Sequence, residues 1–175
     1  MTNKIDNVLS YLEEFNKQNF MFNVPRITGQ FLNMLVKIKN PQKILEIGTS
    51  NGYSTIWLGR EEYNIITIEK DNNKAVMAKA NFEAAGLKKI KIIEGDALRV
   101  LNDINDKFDF VFIDAIKKDC LKYFKLIKTE KNALVVADNI ISHKEQVKDY
   151  VKYVRTHCDS FLLEIGSGLE ITFIR

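Results

Sequence analysis

The order of apolar segments after residue 43 constrains the fold of this chain more than any other feature. Short apolar stretches of strand length alternate with longer stretches in which apolar residues recur at helical spacing. Parallel neighbours need crossover connections, so this alternation predicts βαβ units and a parallel sheet. The predicted strands are 44–47, 65–68, 90–93, 108–113 and 134–137, and the predicted helices between and after them are 53–60, 72–85, 117–128 and 144–155.

The end of the chain breaks this order. Two further apolar segments, 161–165 and 169–174, are joined by Gly166-Ser167-Gly168, and a loop this short joins antiparallel strands. We therefore predict an α/β fold with a Rossmann-like, doubly wound sheet of seven strands. The sheet is mostly parallel, its C-terminal hairpin strand is antiparallel, and helices cover both faces.

Length and composition favour a single domain. The chain has 175 residues, a net charge of +3 and 46% apolar residues, which is typical of a globular protein and excludes a disordered one. No linker or repeat follows Pro41, so residues 1–175 are predicted as one domain, with a helical segment over 1–40 and an α/β core over 41–175. Cys120 and Cys158 lack metal-ligand spacing, and we find no signal peptide or membrane-length apolar run, so we expect a cytoplasmic protein without a membrane partner.

A glycine-containing loop follows the first predicted strand, with the sequence Glu46-Ile47-Gly48-Thr49-Ser50-Asn51-Gly52-Tyr53-Ser54. Glycines allow a tight turn close to a ligand, and the next helix offers free N–H groups to an anion. The dinucleotide fingerprint would need glycines where this chain has Ser50 and Tyr53. The loop therefore favours a ligand with an adenosine and a carboxylate, with a plain tight turn as the alternative.

Acidic residues follow the second and third predicted strands. Glu69 lies about 20 residues past the glycine-containing turn, where an acid can accept hydrogen bonds from ribose hydroxyls. Asp96, in Gly95-Asp96-Ala97, can cap the next helix or receive an adenine amino group. The residues alone leave both roles of Asp96 open.

Oxygen-bearing side chains also follow the fourth and fifth predicted strands. Asp114 ends one strand and the pair Asp138-Asn139 ends the other, so they meet if the two strands are neighbours. Two carboxylates and an amide oxygen form a ligand set that suits Mg²⁺. Helix capping is the alternative role for acids at these positions.

Taken together, these segments resemble the class I S-adenosylmethionine-dependent methyltransferases, and more narrowly the metal-dependent O-methyltransferases of the catechol and caffeoyl-CoA type. The resemblance runs from about residue 29 to residue 175. It rests on motifs that occur in the same order as in that family, namely 44–54, Glu69, 95–97, Asp114 with Lys117, Asp138-Asn139 and 165–169.

The resemblance implies an O-methyltransferase that uses S-adenosylmethionine and a small aromatic acceptor with neighbouring hydroxyls. It implies a divalent metal, Mg²⁺, on Asp114, Asp138 and Asn139, and catalytic roles for Lys117 and Asp114. A homodimer is a further expectation. The cofactor is expected on residues of the strand-end loops: Glu46, Gly48, Ser50, Gly52, Tyr53, Ser54, Glu69, Asp96, Ala97 and Asp114.

An RNA acceptor is the first alternative, because some relatives methylate a hydroxylated uridine in transfer RNA. Basic side chains recur at helical spacing on two predicted helices, and such stripes can follow phosphates, although a solvated helix face has the same pattern. The stripes are Lys118, Lys122 and Lys125 on one helix and Lys144, Lys148, Lys152 and Arg155 on the other.

Two other classes of protein are further alternatives. One is a non-catalytic partner subunit that binds S-adenosylmethionine, against which the intact set of Asp114, Lys117, Asp138 and Asn139 argues. The other is an α/β-hydrolase, because residues 48–52 fit the pattern GxSxG and a histidine, His143 or His157, follows. That fold takes its oxyanion hole from a loop after an earlier strand, and we predict no strand before residue 43.

Overall fold

The computed structural model describes residues 2–175, so Met1 of the predicted domain lies outside the described residues. Helices α1 (Thr2–Asn19) and α2 (Arg26–Lys39) form the N-terminal segment. Strands and helices alternate from residue 43 onward. They are β1 (Lys43–Ile47), α3 (Tyr53–Leu58), β2 (Asn64–Glu69), α4 (Asn72–Ala85), β3 (Ile90–Glu94), α5 (Ala97–Asp103), β4 (Phe108–Ile113), α6 (Cys120–Leu126), β5 (Thr129–Ala137), α7 (Lys144–His157), β6 (Asp159–Leu163) and β7 (Leu169–Phe173).

The strands form one sheet of seven, in the order β3-β2-β1-β4-β5-β7-β6. Strands β1 to β5 are parallel, and β7 is antiparallel to both β5 and β6. The predicted fold class is therefore confirmed, including the antiparallel strand at the C-terminus. The hairpin places β7 between β5 and β6, so β6 becomes an edge of the sheet.

Helices cover both faces of the sheet, because successive side chains of a strand point to opposite faces. On one face, Phe110 and Phe112 of β4 belong to an apolar core that includes buried residues of α1, α2, α3 and α4. On the other face, Val111 and Ile113 belong to a second core that includes residues of α5, α6 and α7. Two apolar cores on one sheet give the three-layer arrangement that the alternating sequence predicts.

Most predicted helices agree with the structure, with two differences. Residues 117–119 form a 3₁₀ turn, and the α-helix predicted from residue 117 begins only at Cys120. A further helix, α5, follows β3, where Asp96 acts as its N-cap by accepting a hydrogen bond from the Leu98 N–H at 2.9 Å. The capping role proposed for Asp96 is thus present in the structure.

The strand order determines where a ligand can bind. Successive strands are added on one side of β1 up to β3, and from β4 onward on its other side. The order of strands therefore switches between β1 and β4, which are parallel neighbours with Ile47 opposite Ile113. In open α/β sheets, ligands bind beyond the carboxyl ends of the strands at such a switch point. The loops after β1 and β4 therefore border the expected binding site.

Candidate active site

A cavity of about 390 Å³ opens at the carboxyl ends of the parallel strands. Its volume lies in the range of small-molecule sites in proteins. Most residues predicted to bind a cofactor or acceptor line it. These are Gly48, Ser50, Tyr53, Ser54, Glu69, Asp96, Ala97, Asp114, Lys117 and Asn139.

The loop after β1 needs glycine at two positions for different reasons. Gly48 has φ +100°, and a Cβ on it would lie 2.1 Å from the carbonyl oxygen of Asp114. Gly52 has φ +87°, and a Cβ there would lie 2.5 Å from the ring of Phe82. Gly48 thus lets the loop approach the end of β4, and Gly52 lets it turn into α3 against α4.

Glu69 fixes the loop after β1 from the end of β2. Its Oε2 accepts a hydrogen bond from the Ser50 N–H at 2.8 Å, and its Oε1 accepts one from the Asp71 N–H at 2.9 Å. Ser50 has the left-handed φ of 49°, which this bond helps to hold. The carboxylate of Glu69 also lines the cavity, so its predicted contact with ribose hydroxyls stays a prediction that this position supports.

Two residues predicted at the cofactor, Glu46 and Gly52, are not among the lining residues. Glu46 is fully buried behind the loop, where it accepts hydrogen bonds from the hydroxyls of Ser54 (2.6 Å) and Thr67 (2.6 Å) and from Thr55. Burial raises the pKa of Glu46 to about 7, although these hydrogen bonds lower it. Glu46 therefore braces α3 and β2 against β1 and does not face the cavity.

The predicted metal ligands lie together, because β4 and β5 are parallel neighbours with Ile113 opposite Ala137. The Asp138 N–H donates to the Ile113 carbonyl oxygen at 3.0 Å, which places Asp138 beside Asp114. Asn139 lines the cavity with a left-handed φ of 67°. Asparagine adopts this conformation more readily than most residues other than glycine.

Charge is concentrated at these strand ends. Asp138 is 2% exposed, and its Oδ1 has no hydrogen-bond partner among the described residues. Burial and then the negative charge of Asp114 raise the pKa of Asp138 to about 7. Lys117 lies on the other side of Asp114, with its Nζ 2.5 Å from Asp114 Oδ1.

A buried carboxylate oxygen without a partner fits a cation ligand better than a helix cap. Two carboxylates and the amide of Asn139 are the hard oxygen donors that Mg²⁺ prefers. Among residues 4–175, no cluster of three or more His, Cys, Asp or Glu side chains is arranged to hold a metal. The predicted set is consistent with this, because it has only two carboxylates and its third member is an amide.

Several lining residues were not predicted from the sequence. The most prominent is the connection between α1 and α2, where Met21, Phe22, Asn23 and Val24 border the cavity. Phe22 is 86% exposed, and two phenylalanines, Phe20 and Phe22, within five residues of Pro25 are the signal that could have identified this segment. The other lining residues outside the predicted set include Lys70, Lys74, Ile116, Tyr123 and His143.

The structure does not form the triad that the hydrolase alternative requires. Ser50 Oγ lies 3.4 Å from the Met21 carbonyl oxygen. His143 Nδ1 pairs with the Ser142 hydroxyl, and His157 Nδ1 pairs with the Tyr153 carbonyl oxygen. Among the hydrogen bonds of the described residues, none joins Ser50 to a histidine.

The basic stripes are partly engaged in local contacts. Arg155 pairs with the buried Glu170, Lys122 pairs with Asp119, and Lys125 lies over the ring of Tyr153. The remaining lysines of the two stripes are exposed, and they are Lys118, Lys144, Lys148 and Lys152. Across the part of the chain that the structure describes, no helix is both long and apolar enough to cross a bilayer.

Comparison with known proteins supports the resemblance to O-methyltransferases. Residues 3–165 match the model of a family described as O-methyltransferase. A catechol O-methyltransferase of Niastella koreensis is 37% identical over 65% of this chain and 56% of its own length. One of Mycobacterium tuberculosis is 34% identical over 67% of this chain and 59% of its own length. This chain thus spans less than two thirds of the length of these two relatives.

Solved structures show the same architecture. An O-methyltransferase from Bacillus cereus, solved in complex with SAH (S-adenosylhomocysteine), is similar with a TM-score of 0.88 and 26% identity. The similarity covers 97% of this chain and 91% of that one. Given the family match over residues 3–165 and the arrangement of the strand-end loops, the chain belongs to the O-methyltransferase family.

Proposed function

We propose that this protein transfers a methyl group from S-adenosylmethionine to one hydroxyl of a small aromatic acceptor that carries two neighbouring hydroxyls. The observation that carries the proposal is that one cavity combines the loop after β1 with Asp114, Lys117 and Asn139. Asp138 does not line this cavity, but it directly follows β5 at the same edge of the sheet, and its buried Oδ1 has no hydrogen-bond partner among the described residues. Cofactor loop and acceptor residues therefore border one space.

The cofactor would occupy the part of the cavity between β1 and β3. S-adenosylmethionine supplies an electrophilic methyl group on its sulfonium. Ser54 at the start of α3 and the first N–H groups of that helix are suited to a carboxylate. Glu69 is suited to two ribose hydroxyls, and Asp96 and Ala97 border the space where an adenine would lie.

Asp114, Asp138 and Asn139 would hold a divalent metal, for which we propose Mg²⁺. A metal there would act as a Lewis acid and lower the pKa of acceptor hydroxyls. Lys117 lines the cavity beside Asp114, and its side chain is 11% exposed. We propose that Lys117 Nζ, as a neutral amine, accepts the proton of the acceptor hydroxyl. The resulting oxyanion attacks the methyl carbon of the cofactor, the bond from that carbon to the sulfonium sulfur breaks, and S-adenosylhomocysteine leaves.

The connection between α1 and α2 would form one wall of the acceptor space. The exposed ring of Phe22 and the apolar side chain of Ile116 both line the cavity, and Ile116 directly precedes Lys117 in the sequence. Aromatic and apolar walls with a few polar groups are typical of sites for small aromatic molecules. These walls favour a planar aromatic acceptor.

Positional isomers of a dihydroxybenzene derivative test this function. With Mg²⁺ and S-adenosylmethionine, we expect methylation of a 1,2-dihydroxy acceptor and no detectable methylation of its 1,3-isomer. Only neighbouring hydroxyls can approach the same cation. Equal rates on both isomers would contradict the proposed role of Asp114, Asp138 and Asn139.

An RNA acceptor is the second candidate. It is favoured by the exposed Lys118 and Lys144, which directly follow the cavity-lining Lys117 and His143 in the sequence. The same assay with a hydroxyuridine-containing transfer RNA separates the two acceptors. Turnover on that RNA alone, with a steep loss at higher salt, would replace the small molecule by RNA.

A further inference from the structure

The segment between α1 and α2, residues 20–24, is here called the strap, because it connects two helices along one side of the cavity. Met21, Phe22, Asn23 and Val24 all line the cavity. Phe20 and Phe22 have left-handed φ values of 48° and 58°. A bulky aromatic residue keeps such a conformation only where neighbouring contacts hold it. The shape of the strap therefore depends on its contacts with the rest of the protein.

The Phe20 N–H donates to the Asn16 carbonyl oxygen at 3.0 Å and so continues the hydrogen bonding of α1, whereas the other direct hydrogen bonds of the strap are long. The Asn23 N–H donates to Asn16 Oδ1 at 3.3 Å, and Asn23 Nδ2 donates to the Leu12 carbonyl oxygen at 3.4 Å. The Met21 carbonyl oxygen accepts from Ser50 Oγ at 3.4 Å. Bonds of this length are weak. The position of the strap therefore depends on the packing of the buried Val24 in the apolar core and on the placement of the helices at its two ends.

Glu13 connects these helices to the loop after β1. Its Oε1 accepts the Tyr53 hydroxyl at 2.6 Å, and both its carboxylate oxygens accept from the Arg26 guanidinium at 2.9 and 3.1 Å. Glu13 belongs to α1, Arg26 is the first residue of α2, and Tyr53 is the first residue of α3. One carboxylate thus joins both helices that flank the strap to the end of the cofactor loop.

Of the three side chains in this junction, Tyr53 is buried, whereas Arg26 and Glu13 are partly exposed. Tyr53 is 2% exposed and lines the cavity. Burial and the hydrogen bond to Glu13 raise the pKa of the Tyr53 phenol, so the hydroxyl stays a donor to Glu13 at neutral pH. Arg26 also lies 5.7 Å from the ring of Trp57, which packs edge-on against Tyr53. Each group in the junction is therefore held by a second contact.

We propose that Glu13 is a positioning residue for cofactor binding. It sets the distance between the strap and the loop of residues 48–53 by joining Arg26 and Tyr53, and it does so without lining the cavity itself. This inference rests on the proposed function, because it assigns Glu13 a role in binding the methyl donor. It also explains why the Tyr53 hydroxyl is directed at α1 and is engaged there.

The test compares three variants of the full chain by calorimetry with S-adenosylhomocysteine. Glu13→Ala is expected to raise the dissociation constant by about tenfold or more, as for the loss of charge-assisted hydrogen bonds. Glu13→Gln retains an acceptor for the Tyr53 hydroxyl, so it should recover most of that affinity. The control is Glu14→Ala, whose carboxylate makes only a solvent-exposed pair with Lys17 and should bind as the wild type does.

Tyr53→Phe removes the hydroxyl alone and serves if Glu13→Ala does not fold. It should weaken binding, and adding it to Glu13→Ala should have little further effect, because Glu13→Ala already removes the acceptor of the Tyr53 hydroxyl. With saturating cofactor, Glu13→Ala should keep kcat near the wild-type value while its KM for the cofactor rises. In both variants, the rate of hydrogen exchange should increase over residues 20–24 and stay unchanged in the central strands. A general loss of stability would instead raise the exchange rate in the central strands as well.

The results separate this inference from the proposed function. If the wild type does not bind S-adenosylhomocysteine, the proposed function fails. If the wild type binds it, and folded Glu13→Ala or Tyr53→Phe binds it equally well, the role of Glu13 is contradicted. The inference would likewise be overturned if the variants lost affinity and their central strands also exchanged hydrogen faster, because the loss of affinity would then reflect general destabilisation.

Discussion

At the scale of single residues, the acidic side chains at the strand ends differ in what they contact. Glu69 lines the cavity, whereas Glu46 is fully buried behind the loop. The sequence placed both at the cofactor because both follow the family motifs. Whether such a side chain reaches the ligand depends on the direction in which it leaves its strand. The side chain of Glu46 is directed away from the cavity, toward hydroxyl groups of α3 and β2 that donate to it.

Glu69→Ala should weaken binding of S-adenosylhomocysteine by roughly 1–3 kcal/mol, or about 5- to 150-fold. The substitution removes the ribose contact that we propose and the bond that holds Ser50. Calorimetry measures the loss. Glu94→Ala is the matched control, since Glu94 is opposite Glu69 on β3 but is exposed and pairs with Lys79. Equal affinities of Glu69→Ala and wild type would refute the assignment.

Glu46→Gln should change how stability depends on pH. The pKa of Glu46 rises from 4.5 to about 7 on folding, so the folded protein binds this proton more tightly than the unfolded chain. The free energy of unfolding of the wild type therefore falls as pH rises from about 4.5 to 7, by up to roughly 3 kcal/mol from this group.

Urea unfolding at several pH values checks this dependence. Asp138 titrates in the same range, so the prediction concerns the difference between wild type and variant. The fall in stability should be smaller in Glu46→Gln and unchanged in Glu94→Gln, which alters an exposed carboxylate. Parallel curves for wild type and Glu46→Gln would show that Glu46 is ionised in the folded protein.

At the scale of elements, most of the fold was predictable because hydrophobic period and connection length specify it locally. The parallel strands and the C-terminal hairpin were predicted from these signals, and the structure confirms them. The short helix α5 was not predicted, and α6 was predicted to begin three residues too early. Each of these helices has seven residues, which is too short for a clear helical period in the sequence. The strap was missed because its role depends on the tertiary placement of α1 and α2.

Gly48→Ala tests the contact between the loop after β1 and the end of β4. The new Cβ would require a left-handed backbone and would lie 2.1 Å from the Asp114 carbonyl oxygen. We expect a loss of roughly 3 kcal/mol or more in the free energy of unfolding. Gly86→Ala has a similar φ of +75° but nothing within 4 Å of its Cβ, so it should cost only about 1 kcal/mol. Equal costs would mean that the close approach at Gly48 is not rigid.

At the scale of the whole molecule, the order of strands unites residues that are far apart in sequence. The loop after β1, Asp114 after β4 and Asp138 after β5 meet because β1, β4 and β5 are neighbours. The sequence could predict this meeting from the rule for parallel sheets. It could not show that Lys117 pairs with Asp114 or that an Asp138 oxygen lacks a partner, because these depend on side-chain packing.

Methyl transfer by wild type and Asp138→Ala, measured with labelled S-adenosylmethionine, Mg²⁺ and a 1,2-dihydroxy aromatic acceptor, tests the central claim most directly. Binding of S-adenosylhomocysteine is measured on the same samples. We predict transfer by the wild type, loss of transfer in excess EDTA, and a fall of at least about 100-fold in Asp138→Ala, with nearly unchanged affinity for S-adenosylhomocysteine. Full transfer by Asp138→Ala, or by the wild type in excess EDTA, would contradict a metal-assisted reaction at these strand ends.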